Sequence, residues 1–269
     1  MNNENMTSIE ENILREDRSL YVRISGTGSP PVIFEAGMNC DSETWQHVEA
    51  NVAEFTTTVV YDRAGLGRSS PLTTQRTLNT MRSDFEYLLD NLALSPPYIS
   101  PPYISPPYIL VGHSLGGLLV RLYAANHLSK TGGLVLIDAP HEGQHEEAQQ
   151  RLSAKTWKMV TSFWQQSREA IDLAYEFAQI EPVRSLGDIP LIVLSATKKE
   201  GPPPEIPTEV AKELEMVSSI TEPSFQKKLA ADSTRGQQIA VEGSGHEIHL
   251  QRPDIVIETI HNMVLAAQT

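Results

Sequence analysis

The chain predicts an α/β fold in which helices flank both faces of a mostly parallel sheet. Short runs rich in Val and Ile alternate along the chain with helical patterns, and a serine between two glycines separates one such run from a helix. Residues 141–187 interrupt this alternation, because they contain helical patterns and no strand pattern. We interpret them as a small helical cap inserted between two late strands.

The predicted strands are short apolar stretches bounded by turn residues. The first, residues 20–25, alternates apolar and polar side chains and ends at Gly26. The others are more continuously apolar, as expected for buried strands, and cover residues 31–37, 56–63, 108–114, 133–139, 190–196 and 237–243. The polar residues 1–18 are assigned to an N-terminal tail.

Helical patterns occupy the intervals between these strands. They cover residues 42–54, 73–93, 115–129, 208–231 and 253–267. The last begins at Pro253, a residue that fits the first helical position because its missing N–H would be unpaired there anyway. The predicted organisation is a core in two parts, 19–140 and 188–269, with the cap at 141–187.

The pentapeptide SPPYI occurs three times in tandem, at residues 95–99, 100–104 and 105–109. Only the third copy leads directly into a strand, and proline cannot donate to a sheet ladder. We therefore expect the first two copies to form an extended surface loop. This loop would lie at the N-terminal end of the strand, away from the C-terminal edge where parallel sheets gather their catalytic loops.

Composition excludes several classes of function. The net charge of −13 disfavours binding to nucleic acid or to an anionic membrane surface. A single cysteine, Cys40, excludes an internal disulfide and a site with several thiolates. No stretch approaches the roughly 20 apolar residues of a membrane-spanning helix, and the polar N-terminus does not resemble a signal peptide. We expect a cytoplasmic protein that acts on a small molecule without a metal or cofactor, and the oligomeric state stays open.

Ser114 is the predicted nucleophile. It stands in Gly112-His113-Ser114-Leu115-Gly116, between an apolar strand and an amphipathic helix. A serine flanked by glycines at such a strand-to-helix turn is held clear of the sheet, where it can attack a substrate.

A serine nucleophile needs a base, and His246 is the best placed of the eight histidines. It follows the last strand in the small-residue loop Gly243-Ser244-Gly245, which would let the imidazole point inward. His113 is interpreted as a packing residue. Positions on the surface are expected for His127, His249 and His261.

An oxyanion hole requires two backbone N–H donors close to the serine hydroxyl. Leu115, directly after the nucleophile, is expected to supply one. The loop after strand 31–37 is expected to supply the other, and Met38 is the candidate. Cys40 in the same loop is interpreted as a bystander thiol.

Three segments together resemble the α/β-hydrolase superfamily, and in particular its esterase-like members with a serine nucleophile. GHSLGG at 112–117, DRAGLGRS at 62–69 and GSGH at 243–246 are similar to its nucleophile elbow, its D-x-x-G-x-G-x-S turn and its histidine loop. The resemblance covers residues 20–267 and implies this fold and a Ser–His mechanism, but no particular substrate. Serine at 114 argues against relatives with an aspartate nucleophile, such as epoxide hydrolases and haloalkane dehalogenases.

The acid that orients His246 has two candidates. The superfamily commonly places it after the strand that is here 190–196, where the first carboxylate is Glu200. Some relatives place it one strand earlier, and that strand here ends in Asp138. We favour Asp138, because it directly follows four apolar strand residues, whereas Glu200 stands beside two lysines and a proline-rich loop.

A rival motif, His141-Glu142-Gly143-Gln144-His145, has the H-E-x-x-H spacing of zinc proteases. Pro140 and the central glycine weaken a helix there, so we interpret the motif as a polar entrance to the cap.

The predicted function is therefore that of a carboxylesterase or lactonase with a Ser114–His246–Asp138 triad. Amidase, aminopeptidase or C–C bond hydrolase activity and a non-catalytic ligand receptor are the alternatives. Aromatic residues of the cap are candidates for an apolar substrate pocket, or equally for cap packing: Trp157, Phe163, Trp164 and Phe177.

Overall fold

One open sheet forms the centre of the fold in the computed structural model, which describes residues 8–72, 75–94, 104–198 and 206–268. In these residues eight strands are present: β1 (Ser8–Arg15), β2 (Arg18–Ser25), β3 (Val32–Glu35), β4 (Thr58–Tyr61), β5 (Tyr108–His113), β6 (Thr131–Ile137), β7 (Leu191–Ala196) and β8 (Gly236–Val241). Their order in the sheet is β1-β2-β4-β3-β5-β6-β7-β8. The pairs β1–β2 and β2–β4 are antiparallel, and all others are parallel. The predicted fold class is confirmed.

Every predicted strand is present, with ends that differ by at most two residues from the prediction. The buried runs of Val and Ile mark these strands because parallel sheets are covered on both faces. Strand ends depend on the backbone ladder and are set by pairing rather than by hydropathy.

Strand β1 corrects the assignment of residues 1–18 to a tail. Its backbone pairs antiparallel with β2 over its full length, from Ser8 opposite Ser25 to Arg15 opposite Arg18. The Arg15 guanidinium binds the Asp84 carboxylate at 2.5 Å. Exposed and half-buried side chains alternate along β1, so this edge strand lacks the apolar run by which the others were recognised.

The described residues include α1 (Gln46–Val52), α2 (Leu78–Leu94), α3 (Leu115–Asn126), α4 (Glu142–Arg151), α5 (Ala154–Gln165), α6 (Leu173–Gln179), α7 (Thr208–Ala231), α8 (Ile248–Gln251) and α9 (Pro253–Ala267). Helices α7 and α9 have the predicted bounds. The predicted helix 42–54 is a 3₁₀ turn over Ser42–Trp45 followed by α1, and the predicted helix 73–93 begins only at Leu78. Three helices, α4 to α6, lie between β6 and β7 where two helical patterns had indicated the cap.

Both faces of the sheet are covered. One face packs against α2, α3 and α7, for example through Phe85, Tyr123 and Leu229. The other face packs against α1 and α9 through Val48 and Ile260. None of the described helices combines the length and the apolar character that crossing a membrane requires.

The SPPYI array is described only in part. Residues 95–103 lie outside the described residues, so the surface loop stays a prediction for the first copy and for most of the second, whose last residue, Ile104, is buried and contradicts it. The third copy leads into β5 at the end of the strand opposite to Ser114, and Ile104 before it is buried in the core.

Candidate active site

Ser114 lies in a sharp turn between β5 and α3. Its backbone has φ 50° and ψ −122°, a conformation that costs a non-glycine residue about 1–3 kcal/mol. The glycines beside it are required by close packing. A Cβ on Gly116 would lie 2.2 Å from the carbonyl oxygen of Glu35, and one on Gly112 would lie 2.6 Å from the carbonyl oxygen of Gly116.

His246 and Asp138 form a hydrogen-bonded pair beside this turn. The Nδ1 atom of His246 is 2.7 Å from Oδ2 of Asp138, and both residues line the pocket that contains Ser114. The other carboxylate oxygen of Asp138 accepts a hydrogen bond from the Ala196 N–H at 3.1 Å. Because the carboxylate engages Nδ1, it favours the tautomer of His246 that carries its proton on Nδ1.

Asp138 directly follows β6, and Ser114 directly follows the neighbouring strand β5. Both residues therefore lie at the same edge of the sheet. Register pairs His113 with Ile137, so the chain leaves both strands side by side. The rival acid, Glu200, lies outside the described residues.

The loop that carries His246 is anchored on two sides. The carbonyl oxygen of Ser244 accepts hydrogen bonds from the N–H groups of Thr197 and Lys198, and the Gly245 N–H donates to Gln251 Oε1 at 2.8 Å. This anchoring fixes the loop after β8 against the loop after β7.

His113 contacts both the ring and the backbone of His246. The two rings lie 4.6 Å apart, and Nε2 of His113 is 3.1 Å from the carbonyl oxygen of His246. Burial, with the nearby His249 and His246, lowers the pKa of His113 well below its usual value. The neutral ring therefore donates its Nε2–H to the backbone of His246.

His249 is fully buried, which corrects the prediction of a surface position. Its ring packs at a tilt against His113 and Trp45, with centroids 4.4 Å and 4.7 Å apart, and its Nε2 atom is 2.8 Å from the Thr44 hydroxyl. Burial, with the nearby His246, lowers the pKa of His249 to about 4. The helix that carries His249, α8, has only four residues, which is too short to show a periodic pattern that would indicate this burial.

The N–H groups of Met38 and Leu115 are the predicted oxyanion donors. Both residues line the pocket with Ser114, and neither N–H has an acceptor among the residues that the structure describes. Leu115 is also the first residue of α3, where the helix dipole favours a negative charge. Burial raises the pKa of the nearby Cys40 thiol, which makes it a weaker nucleophile.

The pocket at Ser114 has a volume of about 180 Å³. It is lined by Met38, Ser114, Leu115, Asp138, Ala139, Pro140, Gln144, His145, Trp164, Leu173, Phe177, Glu222, Gln226 and His246. Two of the four predicted pocket aromatics are in this set. Trp157 instead packs edge-on against Trp164 with centroids 6.0 Å apart, and the Phe163 side chain is 65% exposed.

Two polar pocket residues, Glu222 and Gln226, come from α7, which sequence reasoning did not connect with the site. Helix α7 follows β7 in the chain, and its periodicity reports only its own buried face. Tertiary packing of α7 against α4 and α5 brings this face to the pocket.

The H-E-x-x-H residues serve three separate roles. His141 caps α4, its Nδ1 accepting the Gly143 N–H at 3.0 Å, and Glu142 forms a buried ion pair with Arg121. The His145 ring stacks 3.8 Å from Phe177. This arrangement gives each group a packing or capping partner and supports the interpretation of a cap entrance.

Within the described ranges, His113, Glu247 and His249 approach one another closely enough to hold a metal ion. The Nε2 atoms of both histidines are already hydrogen-bonded, to the His246 carbonyl and to the Thr44 hydroxyl respectively. This group is therefore better explained as packing behind His246.

Comparison with known proteins agrees with this architecture. The family model for the "Alpha/beta hydrolase family" matches residues 26–259. The protein YqjL of Bacillus subtilis is 24% identical over 253 residues, which cover 90% of this chain and 86% of that protein. Four further curated relatives are matched over only 17–45% of their own length.

Two solved structures show the same fold. A thermophilic esterase from Thermogutta terrifontis superposes with a TM-score of 0.65 at 18% identity, covering 98% of this chain and all of that one. The enol-lactonase from Burkholderia xenovorans LB400 superposes with a TM-score of 0.61 at 14% identity, covering 95% and 100%. With the family model matching most of the sequence, the chain belongs to the alpha/beta hydrolase family, and its broad activity is that of a hydrolase.

Proposed function

We propose that this chain is a serine hydrolase that cleaves a small carboxylic ester or lactone through an acyl-enzyme. Ser114 attacks the acyl carbonyl, His246 takes the serine proton at Nε2, and Asp138 holds the imidazole. The N–H groups of Met38 and Leu115 stabilise the negative oxygen of the tetrahedral intermediate. Water, activated by the same histidine, then releases the acyl group.

The observation that carries the proposal is the 2.7 Å contact between His246 and Asp138 in the pocket that contains Ser114. A paired base beside a serine in a strained turn is the arrangement that nucleophilic catalysis requires. The resemblance of the fold to an esterase and to an enol-lactonase is consistent with this chemistry.

Pocket size supports a compact substrate. A volume of about 180 Å³ is below the roughly 300–1,000 Å³ of pockets that hold drug-sized ligands. Trp164, Leu173 and Phe177 supply apolar walls. We therefore propose a short acyl chain or a small ring lactone.

A fluorophosphonate tests the nucleophile, because it labels only an activated serine. Ser114→Ala should abolish labelling and lower kcat by about 10³-fold or more in a folded protein. Ser219→Ala, at an exposed position on α7, is the control and should keep the wild-type labelling and the wild-type kcat. Labelling that persists in Ser114→Ala would place the nucleophile elsewhere.

Alternative functions are separated by a substrate panel. Esters, lactones and amides of graded chain length distinguish an esterase from an amidase, an aminopeptidase or a C–C bond hydrolase. A non-catalytic receptor would give stoichiometric or very slow hydrolysis across the whole panel. The pairing of His246 with Asp138 in the pocket that contains Ser114 favours turnover over mere binding.

A further inference from the structure

A buried charge cluster connects the cap to the loop that carries Met38. Glu169 lies between α5 and α6, and its side chain is completely buried. Arg63, which follows β4, donates to both carboxylate oxygens, from Nε at 2.9 Å and from Nη2 at 2.8 Å. Arg76 adds a second positive charge at 3.3 Å.

The same cluster holds the loop on both sides of Met38. Before it, Arg63 donates to the carbonyl oxygens of Ala36 at 2.7 Å and of Gly37 at 2.6 Å. After it, the Asn39 N–H donates to Glu169 at 2.7 Å, and the Asn39 side-chain oxygen accepts the Glu169 N–H at 3.1 Å. The backbone on both sides of Met38 is therefore held in place by hydrogen bonds. The Met38 N–H makes no hydrogen bond with the described residues and can donate to a substrate oxygen.

The negative charge of Glu169 is essential to this arrangement. Burial alone would raise the pKa of its carboxyl group, but the attraction and hydrogen bonds of Arg63, together with the Asn39 N–H, lower that pKa below its usual value. Arg63 is itself fully buried, and among the described residues its one other carboxylate partner is Glu35, whose pKa is raised by burial. Loss of the Glu169 charge would leave Arg63 poorly compensated and release the loop.

We propose that Glu169 is a positioning residue for the oxyanion hole, so that the hole is complete only when this part of the cap is seated on Arg63 and Asn39. The proposal rests on the proposed function, because it assigns Met38 N–H to a developing oxyanion. Glu169 itself lies outside the set of residues that line the pocket, so it acts through the loop.

Glu169→Gln tests the proposal, with Glu142→Gln as a matched control. Both changes remove a buried cap carboxylate from a buried arginine, and Glu142 pairs with Arg121 without contacting residues 36–39. Both variants should lose thermal stability. Only Glu169→Gln should lower kcat for a small ester, by about 10²-fold, the scale of one lost oxyanion donor.

Two further readouts separate a positioning role from a merely structural one. In Glu169→Gln the KM should stay within about threefold of the wild-type value, whereas inhibition by a boronic acid, which forms a tetrahedral adduct, should weaken about as much as kcat falls. Hydrogen exchange of residues 36–40 should rise in Glu169→Gln and stay at the wild-type level in Glu142→Gln.

If the wild type is active and the two folded variants have equal kcat and equal hydrogen exchange, Glu169 does not position the oxyanion hole. The proposed function would still stand. If the wild type hydrolyses no ester and takes no fluorophosphonate label, the proposed function fails, and with it the assignment of Met38 to an oxyanion. Should Glu169→Gln not fold, Glu169→Asp keeps the charge but shortens the reach to Asn39. It should lower kcat at least about tenfold at constant KM, and a wild-type kcat in this variant would overturn the anchor.

Discussion

Two non-glycine residues at the candidate site have positive φ, 50° at Ser114 and 44° at Asp138. They follow neighbouring strands, and each side chain leaves its strand at the C-terminal edge of the sheet. Strain of this kind persists where the surrounding packing over-determines the backbone. Here the hydrogen bonds from Ser114 N–H to Ile137 O and from Asp138 N–H to Leu194 O fix the two turns.

Asp138→Asn should lower kcat by up to about 10⁴-fold while the protein stays folded. The amide is nearly the same size, but it cannot hold the imidazole in the tautomer whose Nε2 accepts the serine proton. Steady-state hydrolysis of a small ester measures this. Glu200→Gln is the comparison and should change kcat by less than about tenfold, because the sequence places Glu200 beside two lysines and a proline-rich loop rather than at the end of a strand. The reverse pattern would identify Glu200 as the acid.

His145→Phe should remove part of the acid sensitivity of folding. Burial lowers the pKa of His145 to about 4, below its usual value of 6.5. Between these pH values the His145 imidazole is protonated in the unfolded chain but not in the folded chain. The free energy of unfolding therefore falls as the pH drops from about 6.5 towards 4. The variant should lower this slope by up to about 1.4 kcal/mol per pH unit.

Urea unfolding of both proteins from pH 4.5 to 7 measures this slope. Because Nδ1 of His145 has no hydrogen-bond partner among the described residues, phenylalanine should not lower stability at pH 7. Curves that stay parallel over the whole range would contradict the burial of a neutral ring.

At the scale of elements, β5 separates the SPPYI array from the chemistry. The third copy enters the strand at Tyr108, and Ser114 follows its other end. A strand of this length spans about 20 Å. Sequence added before β5 can therefore be accommodated without moving the nucleophile.

Deleting residues 95–104 should give a folded and active protein with one SPPYI copy. Long surface loops cost little, about 0.6 kcal/mol for each doubling of length. Ile104 is buried in the core, so its removal should lower the free energy of unfolding by about 2–5 kcal/mol, as for truncating a buried isoleucine. Thermal denaturation and ester kinetics measure both effects, and a changed substrate preference would show that the array reaches the pocket.

At the scale of the whole molecule, negative charge should select among substrates. The net charge is −13, and the residues that line the pocket include Asp138 and Glu222 but no lysine or arginine. A substrate with a negative charge is therefore repelled both at long range and inside the pocket.

An ester with a neutral acyl chain should exceed its carboxylate-bearing analogue in kcat/KM by at least about tenfold at low salt. The difference should narrow at about 0.5 M NaCl, because salt screens charges that are separated by more than a few ångströms. The neutral ester is the internal control and should respond little to salt. Equal kcat/KM values for both esters at low salt would contradict an electrostatic selection.

The sequence by itself determined the order of strands and helices from β2 onward, the helical segment between β6 and β7, and the turn that carries Ser114. These are local properties, because the period of apolar residues reports which face of one element is buried. Position after a strand predicted Asp138 as the acid, since parallel strands end at a common edge. The family assignment followed from three short motifs and was confirmed.

Only the tertiary structure decided the features that join distant parts of the chain. Strand β1 is held by backbone pairing with β2, which polar side chains do not announce. His249 is buried by Trp45 and His113, which are 204 and 136 residues away in the sequence. Arg63 and Glu169 are 106 residues apart. An ion pair of this separation forms because the cap packs over the loop after β3, and no pattern within either segment encodes that contact.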